Sequence, residues 1–192
     1  MSTEHERVEV RSRAELRAWL TANHRQAESI WLVTYKKPSP SHVPYSDIVD
    51  EVLCFGWIDS QPRLLDAARS MLRLSPRKPK SGWSKVNKDR IERLTADGLM
   101  AEPGLARIEQ AKRNGTWTLI DAATADTVPA DLTEAFARHP GAEQNFMGFP
   151  PSTRRATLEW ITLARRPETR AARIEETASL AAKGERANQW RK

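Results

Sequence analysis

IWLVTYK, residues 30–36, is the most strand-like run in the chain. Its β-branched and aromatic side chains fit a pleated surface. Both alternating sets are apolar, so the strand belongs inside a sheet, covered on two faces. Short partners lie on either side of it. Val8 and Val10 suit an edge strand, and residues 57–64 and 68–74 read as two strands around an Asp66-Ala67-Ala68 turn. Between these runs, Ser12-Arg13-Ala14-Glu15 has the form of a capping box. Leu16, Trp19 and Leu20 then follow the helical i, i+3, i+4 spacing to about Asn23. After KKPSPSHVP, Ser46 is placed to cap a helix that turns Ile48, Val49, Val52 and Leu53 inward, and Gly56 is placed to end it.

Beyond the strands the pattern is helical. Ser84 can open a helix carrying Val86, Ile91 and Leu94, closed by Asp97-Gly98. Pro103 opens one with Leu105, Ile108 and Ala111, and Pro129 one with Leu132 and Phe136. Ser152 opens one with Ala156, Trp160, Ile161 and Ala164; past Pro167, Ala171, Ile174, Ala178 and Ala181 mark a last one. The expected fold is α+β: a small, mainly antiparallel sheet with helices, followed by a helical C-terminal module. GTWTLIDAATADTV, residues 115–128, reads as the linker. That gives an α+β domain over 1–120 and a helical module over 128–186. GERANQWRK, residues 184–192, reads as a basic tail in which Trp190 offers an apolar anchor.

A chain of 192 residues, 39% hydrophobic and 29% charged, can bury a core without staples. Cys54 is the only cysteine, so no intramolecular disulfide is possible. His5, His24, His42 and His139 are scattered and show no metal-ligand spacing. No cofactor or metal is implied, and a reducing, cytoplasmic setting is expected. The N-terminal residues lack an apolar signal core, and no window reaches the ~18 apolar residues of a membrane span. The formal net charge of +6 equals that of residues 73–93 alone, where eight Lys/Arg oppose Asp89 and Glu92.

The chemistry-bearing residues gather in that region. In CFGWIDSQ (54–61), Trp57 and Asp59 alternate onto one strand face, where an indole and a carboxylate can clamp a ligand. In SPRKPKSGWSKVN (75–87), Pro76 and Pro79 stiffen the loop. Arg77, Lys78, Lys80 and Lys85 bring positive charge, and Ser81 and Ser84 bring hydroxyls. Ser84 also opens a helix whose N–H groups favour an anion, with Trp83 beside it and Asn87 one turn in. The candidate ligand-binding set is Trp57, Asp59, Arg77, Lys80, Ser81, Trp83, Ser84 and Asn87. If a reaction is catalysed, Asp59 is the candidate acid/base. No phosphate-loop or dinucleotide spacing is present. Cys54 reads as a buried, inert thiol. Arg165, Arg166, Arg170 and Arg173 form a second basic cluster around Pro167.

Five separated runs carry a resemblance: FGWIDSQ (55–61), SPRKPKSGWSKVN (75–87), GLMAEPGLARIEQAKRNGTW (98–117), VPADL (128–132) and WITLARRPETRAARI (160–174). In this order the chain resembles the YdeI/OmpD-associated family, often labelled bacteriocin-protection protein. The resemblance runs from about Val10 to Gly184. It implies a compact bacterial protein linked to stress or antimicrobial resistance, and it supplies no reaction, cofactor or catalytic residue. The part from about Val128 onward resembles the family's helical module. Trp117 and Trp160, also in motif-like runs, are expected in the core.

Three functions follow as expectations. The first is binding of a small anionic ligand in the Trp57/Arg77/Trp83 region, with or without catalysis. The second is a protein-interaction module acting through the C-terminal helices. The third is nucleic-acid binding through the basic stretch 73–93 and the Arg165–Arg173 cluster, where aromatic and basic residues interleave. No membrane partner is expected.

Overall fold

The computed structural model describes residues 5–188, so Trp190 and the end of the basic tail lie outside the described residues. Two units are distinguished by their internal contacts. The first comprises the residues up to Ser81 together with Val86–Asn114; the second comprises Gly82–Lys85 and the residues from Gly115 onward.

The first unit is built on a four-stranded sheet. In chain order its elements are β1 (Arg7–Glu9), α1 (Arg13–Asn23), β2 (Ile30–Tyr35), α2 (Tyr45–Cys54), β3 (Trp57–Leu64), β4 (Arg69–Pro76), α3 (Lys85–Ala96) and α4 (Glu102–Arg113). The strand order is β1-β2-β4-β3. β1 pairs parallel with β2, and the other two pairings are antiparallel. The IWLVTY strand is therefore interior, as its two apolar faces require. Ile30, Leu32 and Leu74 are fully buried on one face; Trp31, Val33 and Met71 form a smaller buried cluster on the other. Each such aliphatic side chain contributes roughly 1.5–3 kcal/mol on burial.

The helix starts show where local chemistry decides. Ser12 caps α1, its hydroxyl accepting the Glu15 N–H at 3.1 Å. Glu15 returns its carboxylate to the Arg11 N–H at 2.8 Å, one residue earlier than in a standard capping box. Ser46 does not cap α2. That helix begins at Tyr45 behind Pro44, whose fixed φ of −59° sets the entry without a side-chain bond. α2 ends at Cys54, and Gly56 with φ +72° takes the left-handed position that follows. Val86 and Leu105 are exposed rather than core, because α3 and α4 bury Ile91 with Leu94 and Ile108 with Ala111.

Two buried carboxylates tie the helices together. Glu51, 1% exposed, accepts from Arg13 at 2.6 Å and Arg17 at 2.9 Å. Asp50 accepts from Arg90 at 2.7 Å and Arg93 at 2.6 Å. Burial pushes the Asp50 carboxyl up, but the Arg93 and Arg90 hydrogen bonds outweigh it, so its pKa lies below the usual range. A depressed folded pKa stabilises the fold above the unfolded value of about 3.9, and that stabilisation is lost as pH falls through the folded value. Urea-unfolding midpoints should therefore drop below about pH 4, and Asp50→Asn should flatten this part of the profile. Parallel profiles for the two proteins would remove Asp50 as the cause.

In the second unit, α5 (Asp121–Thr124), α6 (Ala130–Arg138), α7 (Ala142–Gly148), α8 (Pro151–Thr162) and α9 (Pro167–Ala182) surround one core. Leu132, Phe136, Phe146, Leu158, Ile161 and Ala178 fill it, with the Phe136 and Phe146 rings 5.3 Å apart. Arg170 grips Asp131 through two bonds of 2.6 and 2.9 Å and holds that carboxyl below its usual pKa. Arg173 lies over the Trp160 ring at 4.8 Å. Trp160 and Trp117 are half-buried rather than core; Trp160 keeps a ring face for Arg173, and Trp117 sits 5.2 Å from Trp83. Among the described residues, no helix is long and apolar enough to cross a membrane.

Candidate functional site

A pocket of about 960 Å³ opens in the first unit. Its walls come from the loop after α1, the Gly56 corner, the end of β4 and the start of α4. Gly56 shapes it twice. Its carbonyl accepts the Arg77 N–H at 3.0 Å, which carries the sheet geometry one residue past β4 and fixes where Arg77 starts. A Cβ at Gly56 would stand 2.6 Å from Cγ of Arg107, so the missing side chain leaves Arg107 its place on the wall.

The lining is strongly one-signed. Arg25, Arg73, Arg77, Lys78 and Arg107 face a single carboxylate, Glu102. Ser29, Ser60, Ser75 and Ser81 add hydroxyls, with Ser29 and Ser75 joined at 2.8 Å. Arg77 is only 3% exposed. Burial lowers its pKa to about 10, with Asp59 acting in the opposite direction, so the guanidinium stays charged at neutral pH. Arg73 donates to Ser29 at 3.4 Å, and its buried Nε has no hydrogen-bond partner among the described residues. A buried cation away from water gains by meeting an anion, because low dielectric strengthens the attraction. The apolar part is fixed. Trp57 is 1% exposed, meets Trp19 edge-on at 5.8 Å, and donates from Nε1 to the His24 carbonyl at 3.1 Å.

Trp57, Arg77 and Ser81 line this pocket. Asp59 lines a second pocket of the same unit, where its carboxylate accepts the Tyr45 hydroxyl at 2.6 Å. Trp57 and Asp59 share a strand face, yet the indole is spent on Trp19 and the carboxylate on Tyr45. Lys80 is exposed and Asn87 lies in α3; neither lines these two pockets. Trp83 and Ser84 belong to the second unit, where the buried Trp83 ring packs on Trp117. Cys54 is a buried free thiol whose pKa burial raises.

Arg25, Arg73 and Arg107 were not singled out by sequence. Arg73 and Ser75 are two apart on β4 and so share a face, a signal open to reading. Arg25 and Arg107 reach the pocket only through the packing of α1 and α4, which no local pattern announces.

Residues 8–107, a little over half of the chain, match a family described as a domain of unknown function (DUF8412). Residues 126–184 match the family described as bacteriocin-protection, YdeI or OmpD-associated. No curated protein and no solved structure matches the chain.

Proposed function

We propose that this chain, which belongs to the DUF8412 family through residues 8–107 and to the YdeI or OmpD-associated family through residues 126–184, binds a small anionic ligand in the Arg77 pocket. One observation carries the reading: a charged, buried Arg77 stands among four further cations and one carboxylate in a pocket of ligand size. The ligand's anionic group meets Arg77 and Arg73, the serine hydroxyls orient it, and its less polar part rests against Phe55, Trp57 and Pro76. The family description of residues 126–184 names bacteriocin protection.

The internal uses of the basic residues favour this over a nucleic-acid surface. Of the eight basic side chains in 73–93, Arg73, Arg77 and Lys78 line the pocket, and Arg90 and Arg93 hold Asp50. In the second cluster Arg170 is taken by Asp131 and Arg173 by Trp160.

Calorimetric titration with inorganic phosphate and with citrate tests the proposal. Binding should weaken as salt rises. Arg77→Met should cost about 2 kcal/mol, roughly 30-fold in Kd, the scale of a lost charge-assisted bond. Lys80→Met, at an exposed position outside the pocket, should change Kd less than about twofold. Equal losses in the two variants, or no heat with either anion, would reject the pocket as an anion site.

A further inference from the structure

The second pocket of the first unit, about 510 Å³, differs in chemistry from the first. It sits where β3 leaves the register of β4, between Asp59 and Pro62. Such irregularities re-aim side chains and open the strand pairing, and Pro62 has no N–H with which to close it. Val43, Ile48 and Leu72 supply buried apolar walls.

Two acceptors face this pocket, Asp59 and His42, beside the hydroxyls of Tyr35, Tyr45, Ser60 and Ser70. Asp59 Oδ2 takes the Tyr45 hydroxyl at 2.6 Å, and no bond to Oδ1 is formed among the described residues. His42 Nδ1 lies 2.7 Å from the Tyr35 carbonyl. A carbonyl only accepts, so Nδ1 carries the proton, and in the neutral ring Nε2 is left as an acceptor. Lys36 also lines the pocket, but its ammonium already donates to the Asp66 and Ala67 carbonyls at 2.9 and 3.2 Å. Lys36 and the exposed Lys37 make the surroundings unfavourable for a cationic amine, and the Asp59 carboxylate makes them unfavourable for an anion.

We propose that this pocket binds a small, neutral, mainly apolar molecule bearing a hydroxyl, which donates to Asp59 while its hydrocarbon body rests on Val43, Ile48 and Leu72. The volume suits a one- or two-ring compound with room for water. Nothing in this assignment requires an anion at Arg77, so the two sites stand or fall separately.

The chain has two tyrosines, Tyr35 and Tyr45, and both line this pocket. Fluorotyrosine-labelled protein therefore gives a fluorine NMR readout specific to it. Titration with 4-propylphenol should shift the tyrosine signals saturably. The methyl ether of the same compound, which cannot donate, should bind at least tenfold more weakly, the scale of a hydrogen bond to a charged group. Asp59→Leu should weaken 4-propylphenol by a similar factor. If that variant does not fold, Asp59→Asn carries the test: it turns the charged acceptor into a neutral one and should weaken 4-propylphenol several-fold. Unmoved signals, equal binding of phenol and ether, or a folded variant of unchanged affinity would each overturn the proposal.

Discussion

Gly104→Ala should destabilise the first unit by about 3 kcal/mol or more, against the usual gain of roughly 0.5–1 kcal/mol when alanine replaces glycine inside a helix. The sign reverses because α4 meets the end of α2 backbone to backbone. A Cβ at Gly104 would stand 2.2 Å from the Cys54 carbonyl oxygen, 2.7 Å from its carbon and 2.9 Å from the Leu53 oxygen. These are main-chain atoms, so no rotamer change relieves the clash. α4 must lift away, breaking the bond from Ala101 N–H to the Cys54 carbonyl at 3.1 Å and exposing Ile108 and Ala111. Because α4 also carries Pro103, Ala106 and Arg107 into the first pocket, anion affinity should fall with stability. Gly148→Ala is the control: it lies at the end of α7 with no atom within 4 Å of an added Cβ. Calorimetric unfolding that gave the two alanines similar small effects would contradict the close approach of α2 and α4.

The second large effect concerns Glu51 and is asymmetric. Removing both arginines, Arg13→Ala with Arg17→Ala, strands a carboxylate that is 1% exposed and should cost about 3–5 kcal/mol. Part of this is the loss of the Arg17 bond to the Leu99 carbonyl at 2.7 Å. Glu51→Met should cost no more than about 1 kcal/mol, since the only buried charge of the cluster goes with its desolvation cost and no buried charge is left unpaired. The arginine side chains, 37% and 36% exposed, then turn to water. Urea unfolding of the two variants decides the matter. A Glu51→Met loss equal to that of the double variant would mean that the ion pair, not the stranded charge, sets the energy.

The sheet was legible because its code is local. IWLVTY announces an interior strand, and the two strands around the Asp66 turn lie within two residues of their read positions. Ser12 was readable for the same reason. α5 has four residues, too few for a period, and α7 buries only Ala142 and Phe146, so neither left a pattern. No local pattern marks Gly104, and only the packing of α2 shows why a hydrogen is all that fits. The candidate site was legible in the same uneven way. Arg77 stood out by composition, whereas Arg25 and Arg107 come to its pocket from distant segments. A run of basic residues does not reveal which of them turn inward.

Gly82–Lys85 packs with the second unit although the chain on both sides of it belongs to the first. The chain therefore passes between the units three times, and no single cut separates them. A ribosome releases Trp83 well before Trp117, so a segment of the second unit is made before the Trp117 ring it packs on. Proteolytic cleavage after Asn114 would place Trp83 and Trp117 on different fragments. The second unit is thus completed only when a segment made together with the first joins it.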